Sequence, residues 1–279
     1  MNSVARQALV NYLHENLPKH TQEQQRLFSR MYPSSDQDAT IHQIIDGIPE
    51  DKLEHAVTQV QRSKMPDQEQ DEDARSWTKY PAVTPDEIAK QYRSLAYGYD
   101  RNMDDIGFQT PSQLSLILSL MAIEGSDAPI LDVGCGSGIT GQVFRDHGFT
   151  NIHGCDLLTE MLWIAMQKDL FKTLTKCDMH ELKSHLPGGF DIVSCLAVLD
   201  HSDRPVEVIR QLIDITRPGG MIIFSERDDL AHKYRLHQEL DKLDNEGCSV
   251  ILRATGLPYC TKSKERERLT VGYYIIRIP

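Results

Sequence analysis

The sequence contains little that marks an exported or membrane-spanning protein. Among its 279 residues, no apolar run approaches the roughly 20 residues that a helix needs to cross a bilayer. The first residues include no apolar stretch followed by small residues, which is the pattern of a secretory signal. We therefore expect a soluble, cytoplasmic protein without a membrane partner.

Cysteine and histidine pairs at metal-binding spacing are also missing. No CxxC pair occurs, and four of the six cysteines lie in apolar segments that have the composition of strands. We expect buried free thiols instead of disulfides or a zinc site. The histidines, including His180 and His185, have no recognisable ligand spacing, so we expect no metal site. The cysteines are Cys135, Cys155, Cys177, Cys195, Cys248 and Cys260.

An excess of positive charge is absent as well. The formal net charge is -11, and a non-specific grip on the phosphate backbone needs a clustered basic face. We therefore expect no nucleic-acid partner. The composition is that of an ordinary globular protein, with 40% hydrophobic and 25% charged residues, and the length allows one large domain and a smaller appendage.

The first 64 residues have the periodicity of amphipathic helices. Apolar residues recur at helical spacing from Ser3 to about Met31 and again from Asp38 to Val60. Five acids then fall among the seven positions from Asp67 to Asp73, where no apolar face is present, so this segment is predicted to be a linker. The helices are expected to cover a pocket of the larger domain or to form a homodimer contact. The predicted organisation is a helical appendage at 1–64, an acidic linker at 65–83 and the larger domain at 84–279.

From Pro129 onward, short apolar segments alternate with helical ones. Five strands follow in this way, with the fourth predicted at Asp191–Leu199 and the fifth at Met221–Ser225. Such alternation gives a parallel, doubly wound sheet that is covered on both faces. Two further strands, Cys248–Arg253 and Val271–Ile278, are joined without a helix and must be antiparallel. The sequence therefore predicts an α/β fold with a doubly wound seven-stranded sheet whose last strand is antiparallel.

The turn after the first strand is rich in glycine. Three alternating glycines in the segment Leu131–Gly138 allow a tight turn and let a ligand approach the backbone. The segment Gly136–Gly141 also matches the dinucleotide pattern GxGxxG, so a nicotinamide or flavin enzyme is the alternative. Asp132 argues against that alternative, because a carboxylate beside the loop would repel a pyrophosphate but not a sulfonium ligand with a free amino group.

Acidic residues also follow the next two predicted strands. Asp156 is suited to accept hydrogen bonds from both hydroxyls of a ribose, and Asp178 can accept a hydrogen bond from an adenine amino group. A dinucleotide site explains an acid such as Asp156. It does not explain Asp132, Asp178 and the closing antiparallel strands together, so the pattern favours a sulfonium cofactor.

In order and spacing, these motifs resemble those of class I S-adenosylmethionine-dependent methyltransferases. Within that superfamily, Tyr92–Asp100 is similar to the YDxWAxxYD segment of the Williams-Beuren-region methyltransferase-like group, and Glu160–Lys168 fits the EMLxxAxxK helix of that group. Arg93 and Leu95 replace the first Asp and the Trp of the former segment. The superfamily motifs are carried by Ile130–Gly138, Gly154–Leu157, Lys176–Met179, Phe190–Val193 and Arg217–Gly220.

This resemblance implies that S-adenosylmethionine is the cofactor and that S-adenosylhomocysteine is its product. It also implies a set of contacts, each carried over from a matching motif position. For the methionine and ribose end of the cofactor, the implied contacts are Gly134, Gly136 and Gly138 with the methionine moiety and ribose, Ala197 with the methionine tail, and Asp156 with the ribose hydroxyls. For the adenine, they are Leu157 and Met179 with the ring and Asp178 with its amino group. Asp132 is implied to support the loop and the amino group of the cofactor, and Tyr99 to lie above the pocket.

The end of the fourth strand faces the donated methyl group in this fold. Here His201 is a candidate general base, and Asp200 is a candidate to orient it or to hold an ammonium acceptor. For each residue, the alternative is a cap on the helix that follows. Tyr92 is a candidate wall of the same pocket. The segment Glu226–Asp229, after the fifth strand, either holds a polar acceptor or forms a surface loop.

The predicted function is methyl transfer to a small-molecule nitrogen or oxygen acceptor by in-line displacement. Alignment and desolvation can supply most of the rate enhancement, and no covalent enzyme nucleophile is required. A base matters only for an acceptor that arrives protonated. Two alternatives stay open: a protein or peptide methyltransferase, and a scaffold that binds S-adenosylmethionine and methylates nothing.

Overall fold

The computed structural model describes residues 84–92, 95–123, 125–263 and 268–279. The predicted helical appendage and most of the acidic linker lie outside the described residues. Helices and strands are numbered below in chain order over the described ranges, and short 3-10 turns are left unnumbered.

Within the described ranges, three helices precede the sheet. The first begins with a capping box, in which Glu87 N–H donates to Thr84 Oγ1 at 3.3 Å and Thr84 N–H donates to the Glu87 carboxylate at 3.2 Å. A 3-10 turn at Ala96–Gly98 then leads into the second helix. The helices are α1 Pro85–Tyr92, α2 Tyr99–Ile106 and α3 Thr110–Leu120.

The sheet has seven strands in the order β3-β2-β1-β4-β5-β7-β6. The first five strands are parallel to their neighbours, and β7 lies antiparallel between β5 and β6. This arrangement confirms the predicted α/β fold. The strands are β1 Ile130–Val133, β2 Ile152–Asp156, β3 Thr173–Lys176, β4 Phe190–Cys195, β5 Thr216–Arg227, β6 Ser249–Pro258 and β7 Thr270–Arg277.

Helices cover both faces of the sheet, and each face has its own apolar core. Successive strand residues point to opposite faces, so Ile223 packs with Phe144 on one side while its neighbour Ile222 packs with Leu212 on the other. All four side chains are buried, and each contributes about 1.5 to 3 kcal/mol through burial. The remaining helices are α4 Ile139–Asp146, α5 Thr159–Gln167, α6 Leu182–His185, α7 Pro205–Ile215, α8 Asp228–Lys233 and α9 Leu236–Asn245.

The fourth and fifth strands differ from their predicted bounds. β4 ends at Cys195, and Leu199–His201 forms a 3-10 turn instead of the end of a strand. β5 runs on to Arg227, because its last residues pair with Val271 and Gly272 of β7. The expectation of a surface loop from residue 226 is therefore wrong for its first two residues, which are buried inside the sheet.

The cysteines behave as the sequence predicts. All six are buried and free of disulfides. They lie on or beside strands in an apolar interior, where a thiol packs as a small hydrophobic side chain.

Candidate active site

A cleft of about 750 Å³, including space open to solvent, lies at the carboxyl ends of the first four strands. Parallel strands end at one edge of the sheet, so the loops that follow them meet there. The predicted site residues that line it are Tyr92, Tyr99, Gly134, Gly136, Asp156, Leu157, Asp178, Met179, Ala197 and His201.

The glycine loop follows β1 in a conformation that favours glycine. Gly134 has a φ of 67°, and a Cβ at this position would overlap the side chain of Val198. Gly136 also has a positive φ and lines the cleft. Gly138 is the N-cap residue of α4, and its nearest side chain is that of Phe171. It is not among the described residues that line the cleft.

Asp132 lies beneath this loop. Its side chain is buried and accepts hydrogen bonds from Thr140 Oγ1 at 2.5 Å and from Ser194 Oγ at 2.7 Å. Burial raises the Asp132 pKa to about 6, and the two hydroxyl donors oppose that rise. These contacts fit the predicted support of the loop. The structure does not bring Asp132 to the cleft wall, which leaves its predicted contact with an amino group unsupported.

Asp156 ends β2 with its carboxylate in the cleft. One oxygen accepts Gly136 N–H at 2.9 Å, and the other accepts Leu158 N–H at 2.8 Å. Burial raises the Asp156 pKa to about 6, while the two backbone donors lower it. The carboxylate is therefore held in one orientation and joins the loops that follow β1 and β2.

A hydrogen-bonded chain connects the loops after β3 and β4. Asp178 Oδ1 accepts His180 N–H at 2.9 Å and lies 2.8 Å from His180 Nδ1. The other ring nitrogen of His180 lies 2.9 Å from Ser202 Oγ, which also accepts Arg204 N–H at 2.9 Å. Sequence reasoning assigned no role to His180 or Ser202, since neither has a motif that reveals a partner about twenty positions away.

The two segments of the predicted methyltransferase-like resemblance meet in space. Asp100 pairs with the ammonium group of Lys168 and accepts a hydrogen bond from the Ser137 hydroxyl. This contact joins α2, the glycine loop and the end of α5, and it places Tyr99 over the cleft. The sequence motifs contain both charged residues, but their spacing along the chain does not show that they pair.

Tyr92 and His201, which both line the cleft, form a buried contact. The Tyr92 hydroxyl lies 2.6 Å from His201 Nε2, and the rings meet edge to face with centroids 5.2 Å apart. Burial, followed by the neighbouring Tyr99 and the charge of Asp200, raises the Tyr92 pKa well above its usual value. The phenol therefore stays protonated and can donate to His201, whose Nε2 is then the accepting nitrogen.

The turn between β4 and α7 has an unusual backbone. Ala197 adopts a φ of 56°, which is uncommon for a residue other than glycine, and its N–H donates to Ser225 Oγ at 2.8 Å. Arg204 is the N-cap residue of α7, and Ser202 accepts its N–H. Neither Asp200 nor His201 caps α7, so the capping alternative for these two residues is wrong.

Asp200, in this turn, and Glu226, near the end of β5, are not among the described residues that line the cleft. Both are almost fully buried, with exposed fractions of 9% and 2%. Within the described ranges, no donor reaches Asp200 Oδ1 or Glu226 Oε2. Asp200 Oδ1 is 4.0 Å from His201 Nε2, beyond hydrogen-bonding distance. Burial, with the nearby charge of Asp200, raises the Glu226 pKa to about 9.

Comparison with known families gives the class of the protein. The profile of the family described as "Methyltransferase domain" matches residues 99–257, which is more than half of the chain. The chain belongs to this family, and it has the fold and motifs of the class I S-adenosylmethionine-dependent methyltransferases. The prediction of an S-adenosylmethionine-dependent methyltransferase is thereby confirmed.

Individual relatives refine this placement. Human methyltransferase-like protein 27 is 30% identical over 162 residues, which are 56% of this chain and 65% of the human protein. The chain thus spans just under two thirds of that relative, and the similarity agrees with the predicted methyltransferase-like group. A ubiquinone biosynthesis O-methyltransferase from Colwellia psychrerythraea is 30% identical over 169 residues, 55% of this chain and 68% of that enzyme.

Solved structures show the same fold at low sequence identity. Magnesium protoporphyrin IX methyltransferase from Synechocystis, with bound S-adenosylmethionine, has a TM-score of 0.50 and 19% identity over 71% of this chain and 99% of that one. The [4+2]-cyclase SpnF has a TM-score of 0.53 and 17% identity, over 72% and 98%. Within the described ranges, no helix is long and apolar enough to cross a bilayer.

Proposed function

We propose that this enzyme methylates a nitrogen or oxygen atom of a small molecule by in-line displacement in the described cleft. One observation carries the proposal: the Tyr92–His201 hydrogen bond opens onto the same cleft as the glycine loop and Asp156. A group that can take a proton therefore lies across the cleft from the groups suited to the cofactor.

The residues present fit S-adenosylmethionine. Gly134 and Gly136 leave no side chain between the backbone and the cleft, and Asp156 presents a fixed carboxylate to a ribose. Leu157 and Met179 offer partly buried apolar surface for the adenine. In this proposal Asp178 accepts from the adenine amino group, Ala197 lies under the methionine tail, Tyr99 covers the pocket, and Asp132 and Gly138 shape the loop from behind.

The mechanism assigns the proton to His201. When bound, the sulfonium supplies an activated methyl group and a neutral thioether leaving group. His201 Nε2 accepts the proton that a protonated acceptor must lose by way of the Tyr92 hydroxyl, whose oxygen takes that proton as its own passes to Nε2. The aromatic walls at Tyr92 and Tyr99 exclude water and help to align the reacting atoms. Methyl transfer is then favoured over hydrolysis of the activated methyl group.

The relatives support a small acceptor and leave a second candidate function. The relative from Colwellia is named for the biosynthesis of ubiquinone, a small molecule. SpnF is named as a cyclase, which shows that this fold also serves reactions other than methyl transfer. The alternative to be tested here is a scaffold that binds the cofactor without turnover.

Turnover on separated extract fractions decides between these functions. The full chain would be incubated with S-[methyl-³H]adenosylmethionine and with either the low-molecular-weight or the protein fraction of an extract from the source cells. We expect S-adenosylhomocysteine and labelled product from the low-molecular-weight fraction. Label in the protein fraction alone would identify a protein methyltransferase. Tight cofactor binding without product in either fraction would identify a scaffold.

We further propose that residues 1–64 are a helical appendage, joined by the linker at 65–83 to the enzyme domain at 84–279, and that the appendage covers the cleft. The support is the apolar helical periodicity of the segment, which has to be buried somewhere. Deletion of residues 1–64 should weaken S-adenosylhomocysteine binding in calorimetry and abolish most turnover. Loss of a dimer on a sizing column with unchanged cofactor affinity would instead support the homodimer alternative. Unchanged turnover and apparent mass would contradict both.

A further inference from the structure

The carboxyl groups of Asp200 and Glu226, called the pair below, are both buried, and Asp200 directly precedes His201, which lines the cleft. Asp200 belongs to the 3-10 turn after β4, and Glu226 lies near the end of the adjacent strand β5. The negative charge of Asp200 raises the Glu226 pKa and also acts on Tyr92 and Tyr99, both of which line the cleft. The pair therefore lies within electrostatic reach of the space that an acceptor would occupy.

Each member of the pair has one oxygen that no described donor reaches. Asp200 Oδ1 lies 4.0 Å from His201 Nε2, and Glu226 Oε2 is buried near the end of β5. Glu226 Oε1, in contrast, accepts Arg227 N–H at 2.8 Å. Buried carboxyl oxygens in proteins are almost always hydrogen-bonded, so these two atoms are suited to a donor from a ligand.

Arg227, a cation that acts on Glu226, is engaged by another carboxylate. Arg227 is buried, and its Nε and Nη2 atoms bind Asp229 at 3.1 and 2.8 Å. Its charge moderates the negative potential of the pair. Asp200 Oδ1 and Glu226 Oε2 still lack a hydrogen-bond donor among the described residues. A cationic donor satisfies both their hydrogen bonding and their charge.

We propose that the acceptor is an amine, and that its protonated nitrogen binds between Asp200 Oδ1 and Glu226 Oε2 beside His201. An ammonium group has three donors and a positive charge, whereas a hydroxyl has one donor and no charge. This inference rests on the proposed small-molecule methyltransferase function and narrows its acceptor. The raised pKa of Glu226 supports it, because an unliganded pair that keeps a proton avoids two adjacent buried charges.

The chemistry balances with the residues already described. The ammonium first gives one proton to the Tyr92 hydroxyl as that hydroxyl passes its own proton to His201 Nε2, and the pair of electrons left on nitrogen forms the new N–C bond. As that bond forms, the C–S bond breaks and its electron pair stays on sulfur. The positive charge thus passes from the sulfonium to the methylated ammonium, while Asp200 keeps the nitrogen aligned throughout.

The test identifies the methylated atom in the product of the full-length wild-type enzyme. Product labelled from S-[methyl-³H]adenosylmethionine and the low-molecular-weight extract fraction would be separated by cation exchange and analysed by mass spectrometry and NMR. We expect a methyl group on nitrogen and retention on the cation exchanger. A methyl group on oxygen, carbon or sulfur overturns the amine proposal but leaves the methyltransferase function standing. Absence of any labelled small molecule overturns both.

Variants then test the two carboxyl groups against that purified amine. Asp200→Asn keeps the shape of the side chain and removes its charge, so we expect at least a tenfold higher KM for the amine with S-adenosylhomocysteine affinity within twofold. Asp191→Asn removes a carboxylate that pairs with Arg217 at the opposite end of the sheet, and should leave both constants unchanged. Should Asp200→Asn fail to fold, Glu226→Gln replaces it, with an expected KM increase of several fold. An unchanged KM in a folded variant overturns the role of the pair.

Discussion

The two sides of the cleft differ in how their acidic side chains are satisfied. On the cofactor side, Asp132 and Asp156 each have both carboxyl oxygens hydrogen-bonded within the protein. On the acceptor side, Asp200 and Glu226 each have a buried oxygen without a described donor. In the proposed function, the cofactor side is therefore pre-formed, whereas the acceptor side has hydrogen bonds left for a ligand to complete.

This contrast has a physical consequence for mutations. A side chain whose bonds are internal holds loops in place, so its loss should act on cofactor affinity and on local structure together. Loss of a side chain whose hydrogen bonds only a ligand completes should change turnover or the acceptor KM, with little effect on cofactor affinity. Three experiments examine this distinction, in order of decreasing expected effect.

The largest effect is expected for His201→Ala. Loss of a general base lowers turnover by about 10²- to 10⁴-fold, while cofactor affinity should stay within about threefold because the cofactor side is intact. Product formation and calorimetry with S-adenosylhomocysteine measure the two quantities. His232→Ala, at an exposed position of α8, is the matched control and should behave as wild type. Parallel losses of turnover and affinity would break the separation of the two sides.

A smaller effect, more than tenfold in cofactor affinity, is expected for Asp156→Ala. The variant removes charge-assisted hydrogen bonds to the ribose hydroxyls, each of which contributes about 1.5 to 3 kcal/mol. It also leaves Gly136 N–H and Leu158 N–H without their acceptor, so a lower melting temperature should accompany the weaker binding. Calorimetry and thermal unfolding test both results, with Asp191→Ala as control. Wild-type affinity in a folded variant would show that Asp156 does not bind the cofactor.

The smallest effect on binding or turnover is expected at Glu226, where the quantity to measure is a pH dependence of stability. Because the folded state raises this pKa from 4.5 to about 9, folding holds the proton more tightly than the unfolded chain does. The contribution of Glu226 is therefore most favourable below pH 4.5 and is lost as the pH rises toward 9. Glu226→Gln should gain stability relative to wild type across this range.

Urea unfolding of both proteins at pH 5, 7 and 9 measures that difference. Glu207→Gln, on the exposed surface of α7, provides the control and should show a constant difference from wild type. Buried carboxyl groups that are common to all the proteins, such as Asp132 and Asp156, cancel in the comparison. A Glu226→Gln difference that does not change with pH would mean that this carboxyl is not held protonated by the fold.

Much of the cofactor side could be predicted from local sequence. Gly134 and Gly136 indicate a turn that requires positive φ, and Asp156 comes at the end of a short run that has the length of a strand. These signals lie within a few residues of the contacts that they predict, since a strand, a turn and a helix start are local structures. The alternation of such units also determines the sheet, because crossover connections between parallel strands have one preferred hand.

The acceptor side depends on contacts between distant parts of the chain. Tyr92 meets His201 across 109 positions, and Asp200 approaches Glu226 only because β4 and β5 are neighbours in the sheet. The sequence named all four residues as candidates but left capping, surface-loop and catalytic interpretations open. Burial, distance and unmet hydrogen bonds separate those interpretations, and these properties exist only once the strands are packed together. The sequence by itself therefore determined the fold and the cofactor, whereas the tertiary structure decided which polar groups remain to receive the acceptor.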